Sequence, residues 1–197
     1  MALTTASVHD IANEVLACVC AALDEAAAED ETECLPGCPE RTCVVPGTPA
    51  WDSCGEMDCP GAVGGQLTVH FVGIRPGERD RSTLQMAARG CTPPPVTVAE
   101  LVVTLLRCAP MPDDQGCPPT CEEMETAARV LHADAVTVWQ ALTCCLPEIS
   151  GSRRAPKWEL PSGPQTVGPQ GGCVGVEQRL RVTLPAVCCP GEESPSP

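Results

Sequence analysis

The sequence is poor in aromatic residues and in basic ones. It has one Phe, three Trp and no Tyr among 197 residues, and a single lysine, Lys157, against eleven arginines. The 12 basic residues face 26 acidic ones, which gives a net charge of −14. Residues 1–65 are the most acidic part, with twelve acids and only Arg41 as a base. A chain this acidic has no basic surface for phosphates, so its composition argues against nucleic-acid binding.

The sequence also lacks a long hydrophobic run. The longest uninterrupted one, Val15 to Leu23, is too short to cross a bilayer. No Lys or Arg precedes the first apolar stretch, and Asp10 and Glu14 lie inside it, which is unlike a signal peptide. We therefore expect a chain that is made in the cytoplasm and is not attached to a membrane.

Motifs that carry catalysis are missing as well. The sequence contains no GxGxxG, P-loop, HExxH or GxSxG pattern and no CxxC pair. The three histidines, His9, His70 and His132, are far apart in the chain. The adjacent acids Asp113-Asp114 and Glu122-Glu123 are explained by a turn and by a helix start. We predict that the protein is not an enzyme and that it has no catalytic residues, no cofactor and no metal ligands.

Cysteine is abundant instead, with 16 residues. This approaches the density of a disulfide scaffold. The spacings Cys34-x3-Cys38 and Cys54-x4-Cys59 also fit a zinc site loosely, so disulfides, free thiols and zinc all stay open, with disulfides favoured. The candidate disulfide cysteines are Cys18, Cys20, Cys34, Cys38, Cys43, Cys54, Cys59, Cys117, Cys121, Cys145, Cys188 and Cys189.

The most strongly patterned stretch runs from Ala99 to Leu146. Residues 100–108 form an aliphatic, β-branched run that predicts a buried strand. A helix follows, which begins with a capping box at Thr120 and Glu123 and ends at Pro147. One face of this helix is apolar at Met124, Ala128, Leu131, Ala135, Val138 and Leu142.

The remaining elements follow from the same periodicities. Ser7 begins a first helix with an apolar stripe from Val8 to Leu23, on which Cys18 and Cys20 lie on opposite shoulders and are expected to bridge to different neighbours. Residues 66–74 predict a strand with Leu67, Val69 and Phe71 on one face and a half-exposed His70 on the other. Residues 157–160 and 173–185 predict two more strands, whereas residues 34–65 and 162–172 resemble loops.

Together these elements predict an α+β fold: a mixed or antiparallel sheet of about four strands with two helices packed on one face. We expect one domain over residues 1–190, with a Cys/Pro/Gly-rich acidic loop insertion at 26–65 and a disordered tail at 191–197. Residues 75–95 form a long connection between two strands. It is either a floppy hairpin tip or a loop with a function, such as contact with a neighbouring subunit.

Four segments carry a resemblance to a known family: VHDIANEVLACVCAALDEA, CPERTCVVPGTPAWDSC, AELVVTLLRCAPMP with the helix TCEEMETAARVLHADAVTVWQALTCCL, and GPQGGCVGVEQRLRVTL. They resemble small cysteine-rich virion proteins encoded among the head-to-tail genes of long-tailed actinobacterial phages. The element order is similar to that of the tail terminator family. The cysteines and the acidic loop depart from better-known terminators, so another head-to-tail connector or a minor tail protein stays open.

The resemblance implies a homo-oligomer, most simply a hexameric ring, at the head-proximal end of the tail in the virion. Its implied partners are the major tail tube protein and the head-to-tail connector or stopper protein, with genomic DNA passing through without specific binding. We expect Arg75, Arg79, Arg81 and Arg89 to reach an acidic neighbouring subunit. The alternative from another class is a zinc-stabilised binding module in the cytosol, in which metal binding and folding are coupled.

Overall fold

The computed structural model of the chain describes residues 5–29, 35–52, 54, 64–76, 97–112, 115–149 and 157–184. Two helices and six strands lie in these ranges. In chain order they are α1 (Thr5–Glu29), β1 (Arg41–Val45), β2 (Gln66–Pro76), β3 (Thr97–Cys108), α2 (Cys121–Ile149), β4 (Trp158–Glu159), β5 (Gln165–Gln170) and β6 (Cys173–Leu184). The predicted α+β class is confirmed, with six strands rather than about four.

The strands form one mixed sheet in the order β1-β2-β3-β6-β4. β5 also pairs with β6, over the first part of that strand, whereas β4 pairs with its later part. β1 runs parallel to β2, and the other pairs are antiparallel. The long strands β2, β3 and β6 form the centre. α1 packs over β1 and β2, and α2 packs over β6, so the two helices share one face of the sheet.

The core between the helices and the sheet is aliphatic, as expected from a chain with so few aromatics. The apolar side chains on the helix-facing side of the sheet alternate along β2, β3 and β6 and meet the apolar stripes of α1 and α2. They include Leu67, Val69, Leu101, Val103, Leu105, Leu180, Val182, Val15, Val19, Leu142 and Leu146. Truncating one such leucine to Ala costs about 2–5 kcal/mol of stability in well-packed cores.

A buried ion pair joins the end of β3 to α2. The Arg107 guanidinium donates to both carboxylate oxygens of Asp134, at 2.8 and 2.9 Å. A further donation, at 2.7 Å, reaches the carbonyl of Gly37 in the segment before β1. Three separate parts of the chain are therefore connected through one side chain.

Helix α2 begins as its capping box predicts. The Glu123 carboxylate accepts from the Thr120 backbone N–H and hydroxyl, both at 2.8 Å, and the Thr120 hydroxyl accepts from the Glu123 N–H at 3.3 Å. Its apolar face is buried only in the second half: Val138 and Leu142 are in the core, whereas Met124 is 52% exposed. The first half of α2 thus extends beyond the sheet, and the helix continues two residues past Pro147.

Three other sequence predictions were wrong. The stretch predicted as loop at 34–65 contains β1, a short edge strand held by the parallel ladder to β2. The stretch at 162–172 contains β5, five of whose six residues are exposed, so it has no apolar alternation to reveal it. His70 is buried, at 8% exposure, and not half-exposed, because both faces of β2 are covered at this point.

Candidate subunit interface and cysteine sites

Arg75, one of the four arginines predicted at a subunit interface, lies near the end of β2. It is ion-paired with Glu100 of β3, whose side chain is only 4% exposed. Arg179 of β6 reaches the other oxygen of Glu100 at 3.4 Å and contacts Glu177 at 3.2 Å. Arg75 and Arg179 therefore neutralise a buried carboxylate within the same chain.

The other three predicted arginines, Arg79, Arg81 and Arg89, lie outside the described residues. The structure therefore does not test whether the four arginines lie close together, and their common role stays a prediction. Replacing Arg75 with Glu would set a second negative charge against Glu100. A test of the interface should leave Arg75 in place and change only the other three.

His70 lies on the same face of β2 as Arg75, opposite Val102. Burial lowers the pKa of His70, Arg179 lowers it further, and Glu177 opposes both. Within the described part of the chain, its Nδ1 atom has no hydrogen-bond partner. Burial therefore disfavours the charged imidazolium form of His70.

The outer half of β2 carries exposed apolar side chains. Phe71, Val72 and Ile74 are 39%, 46% and 56% exposed, and we call them the β2 strip. The strand has a bulge between Phe71 and Gly73, which interrupts the alternation at Val72. The register confirms that Phe71 shares a face of β2 with Leu67 and Val69, but Phe71 lies beyond the edge of the core. An exposed cluster of this kind is typical of an interaction surface.

A second apolar surface lies on the outer face of α2. Val136 and Trp139, which we call the α2 strip, are 56% and 37% exposed and three residues apart, so they lie on one side of the helix. α2 packs over β6, whereas β2 lies toward the β1 edge of the sheet under α1. The two strips therefore lie on separate elements, at different places along the order of the sheet.

Two disulfides bind α1 to its surroundings. Cys18 is bonded to Cys145 of α2, and Cys20 is bonded to Cys38 in the segment before β1. The prediction that these two α1 cysteines bridge to different neighbours is confirmed. Their positions on either side of the helix stripe are the signal that reveals it.

The other predicted disulfide cysteines fall into two groups. Cys43, Cys54, Cys117 and Cys121 lie outside the two disulfides. Cys34, Cys59, Cys188 and Cys189 are outside the described residues. Sequence reasoning missed Cys108 and Cys173, which face each other across β3 and β6 and contact Cys54. Cys108 ends one predicted strand and Cys173 begins another, but only the pairing register shows that the two residues are neighbours.

Over the ranges that the structure describes, no group of three or more His, Cys, Asp or Glu side chains is arranged to hold a metal ion. Neither α1 nor α2 is long and apolar enough to cross a membrane. Comparisons with protein-family models and with curated proteins found no match.

Proposed function

We propose that this chain is a structural virion protein, which forms a ring at the head-proximal end of the tail tube of a long-tailed phage. In this role it ends tube polymerisation and joins the tail to the head connector. The element order, with two helices on one face of a mixed sheet, supports the similarity to tail terminators that the sequence indicates.

The observation that carries the ring is the pair of apolar strips. A closed ring needs two different surfaces on each subunit, one of which contacts the other on the next copy. The β2 strip and the α2 strip meet this requirement because they are two separate exposed surfaces, one on β2 and one on α2. We propose that the β2 strip of one subunit packs on the α2 strip of its neighbour.

Charge supports the same function. With a net charge of −14, a ring of these subunits repels the DNA backbone and lets it pass without specific binding. The two disulfides stabilise a particle that has to persist outside the cell, where thiols are oxidised.

The first experiment is the native mass of the purified full chain, with metal content measured on the same sample. We expect a metal-free closed oligomer, most simply a hexamer, that appears as a ring by negative-stain electron microscopy. I74D puts a charge into the β2 strip and is expected to yield folded monomers. M124D is the matched control, since Met124 is exposed but belongs to neither strip.

A monomer with stoichiometric zinc would contradict the ring and favour the cytosolic binding module. If M124D dissociates the ring as I74D does, the contact lies elsewhere. A triple R79E/R81E/R89E variant tests the arginine contact separately, and persistent rings would remove it from the interface.

Ring formation alone does not distinguish a terminator from another connector or minor tail protein. The purified ring is therefore added to polymerising tail tube subunits. A terminator is expected to stop tube growth when present in small proportion, as one ring per tube end. Continued growth would exclude the terminator role and leave the other two.

A further inference from the structure

Three cysteines meet where β3 ends and β6 begins. Cys108 and Cys173 are direct partners across the antiparallel ladder. The thiol of Cys54, which comes from the segment after β1, hydrogen-bonds with both of them. None of the three takes part in the two disulfides.

The position of Cys108 and Cys173 in the ladder favours a bond between them. The Ala109 N–H donates to the Gly172 carbonyl at 2.8 Å, which makes that next pair a hydrogen-bonded one. Cys108 and Cys173 are therefore a non-hydrogen-bonded pair, in which Cα atoms are about 4.5 Å apart and side chains lie closest. This separation is within the range of about 4.4–6.8 Å that disulfides span.

A tight turn between β5 and β6 lies next to the three cysteines. Gly171 and Gly172 have φ of +55° and +73°, as in the two-residue hairpin turns that join tightly twisted strands. A Cβ atom on Gly171 would lie 2.2 Å from the Trp51 carbonyl oxygen. Glycine thus lets the segment that carries Cys54 approach the turn closely.

The three thiols differ in accessibility and in acidity. Cys108 is exposed and lines a cleft of about 590 Å³ between the end of β3 and the start of α2, whereas Cys173 is buried. Burial raises the pKa of Cys54 far above its usual range, and its hydrogen bonds to the other two thiols raise it further. Cys54 therefore stays protonated and is a poor nucleophile.

We propose that Cys108 and Cys173 form a reversible dithiol–disulfide site, which a small-molecule disulfide oxidises and which closes a third cross-link between β3 and β6. The thiolate of Cys108 attacks the small disulfide RSSR and releases one RSH, which leaves a mixed disulfide on Cys108. The thiolate of Cys173 then attacks the Cys108 sulfur and releases the second RSH. Two protein thiols are oxidised, RSSR is reduced, and the protons end on the two RSH molecules.

Cystamine is the probe, because Glu122 and Glu123 line the cleft and favour a cationic disulfide. The full chain, with its two disulfides intact, is incubated with cystamine and mapped by mass spectrometry. Cys108, Cys117 and Cys121 share one tryptic peptide, so a second cleavage at Asp113 is needed to separate them. We expect a Cys108–Cys173 cross-linked peptide that dithiothreitol removes, and a melting temperature higher by roughly 5–10 °C.

Two variants make the result specific. In C173A the mixed disulfide on Cys108 is expected to accumulate, because the resolving thiol is gone. In C54A the cross-link is expected to form as in the wild type. Circular dichroism confirms that both variants are folded.

A stable cystamine adduct on Cys108 of the wild type would overturn the proposal. So would a cross-link to Cys54, or loss of the Cys108–Cys173 cross-link in C54A. A metal ion bound in stoichiometric amount that protects the three thiols from cystamine would also overturn it, and would assign the cluster to metal binding. Because oligomeric state does not enter these readouts, the result is independent of the proposed ring.

Discussion

Arg107 and Asp134 are charged residues that the fold removes almost completely from water, with side chains 7% and 5% exposed. Their two hydrogen bonds, together with the bond from Arg107 to Gly37, offset the cost of burial. Such a pair adds less to stability than its short distances imply. Removing one partner is nevertheless severe, because the other charge stays buried alone.

We expect D134A to lower the free energy of unfolding by about 3–5 kcal/mol, because Arg107 is left as an unpaired buried charge. The matched control is E125A, which breaks the exposed pair between Arg129 and Glu125 and is expected to cost about 0.5 kcal/mol or less. Urea unfolding of the three proteins measures both values. Equal losses in the two variants would show that burial does not govern the strength of this pair.

Sequence alone gave no sign of this pair. Asp134 falls between apolar positions of a predicted helix, and Arg107 falls at the end of a predicted strand. Their contact depends on how α2 crosses the sheet, which apolar periodicity does not specify. The same holds for Glu100, which looks like a strand-start residue and is in fact buried between Arg75 and Arg179.

Among the elements, α2 shows how a helix start is linked to pH. The hydrogen bonds from the Thr120 backbone and hydroxyl lower the pKa of Glu123 below its usual value of 4.5. A carboxyl whose pKa falls on folding stabilises the folded state above its unfolded pKa. That contribution is lost as the pH drops through its folded pKa.

The variant E123Q keeps the capping geometry but cannot titrate. We therefore expect wild type to be more stable than E123Q at neutral pH, with the difference shrinking as the pH falls below 4.5. Urea unfolding across this pH range measures it. Repeating the comparison in a T120A background removes the hydroxyl but keeps the backbone N–H, so it should reduce the pH-dependent difference only in part. An unchanged difference there would show that the Thr120 hydroxyl does not contribute.

The two disulfides differ in what they connect. Cys18–Cys145 links residues 127 apart in the chain, whereas Cys20–Cys38 links residues 18 apart. In the chain-entropy description a longer closed loop constrains the unfolded chain more.

We expect C18A/C145A to destabilise the protein by roughly 1.7 kcal/mol more than C20A/C38A does. Cys18 is also buried in the core, so the lost packing adds in the same direction. Guanidinium unfolding without reductant compares the two double variants. A larger loss in C20A/C38A would mean that local strain or packing, and not loop length, sets the contribution of these bonds.

At the scale of the whole molecule, the sequence predicted the elements that have a buried apolar side. α1, α2, β2, β3 and β6 each carry an apolar period that the core explains. The edge strands β1 and β5 were missed because main-chain pairing to a neighbour holds them. The register between strands could not be predicted from the sequence. The contact between Cys108 and Cys173 depends on that register and so was not predicted either.

The surface features that support a ring arise at the same scale. Phe71 belongs to the apolar alternation of β2, and only the assembled fold shows that it lies beyond the core. Trp139 directly follows the buried Val138 in α2, about 100° further around the helix, and is exposed. A sequence pattern reports that a residue is apolar, but whether its own chain or a second copy covers it depends on where the core ends.

The bond between Cys18 and Cys145 also determines how the chain responds to a protease. The bond encloses most of the molecule, including every strand from β1 to β3. A single cut at any peptide bond between these two cysteines therefore leaves both products in one covalent molecule. A chain built in this way stays in one piece after being nicked, and separates into fragments only when a reductant opens the bond.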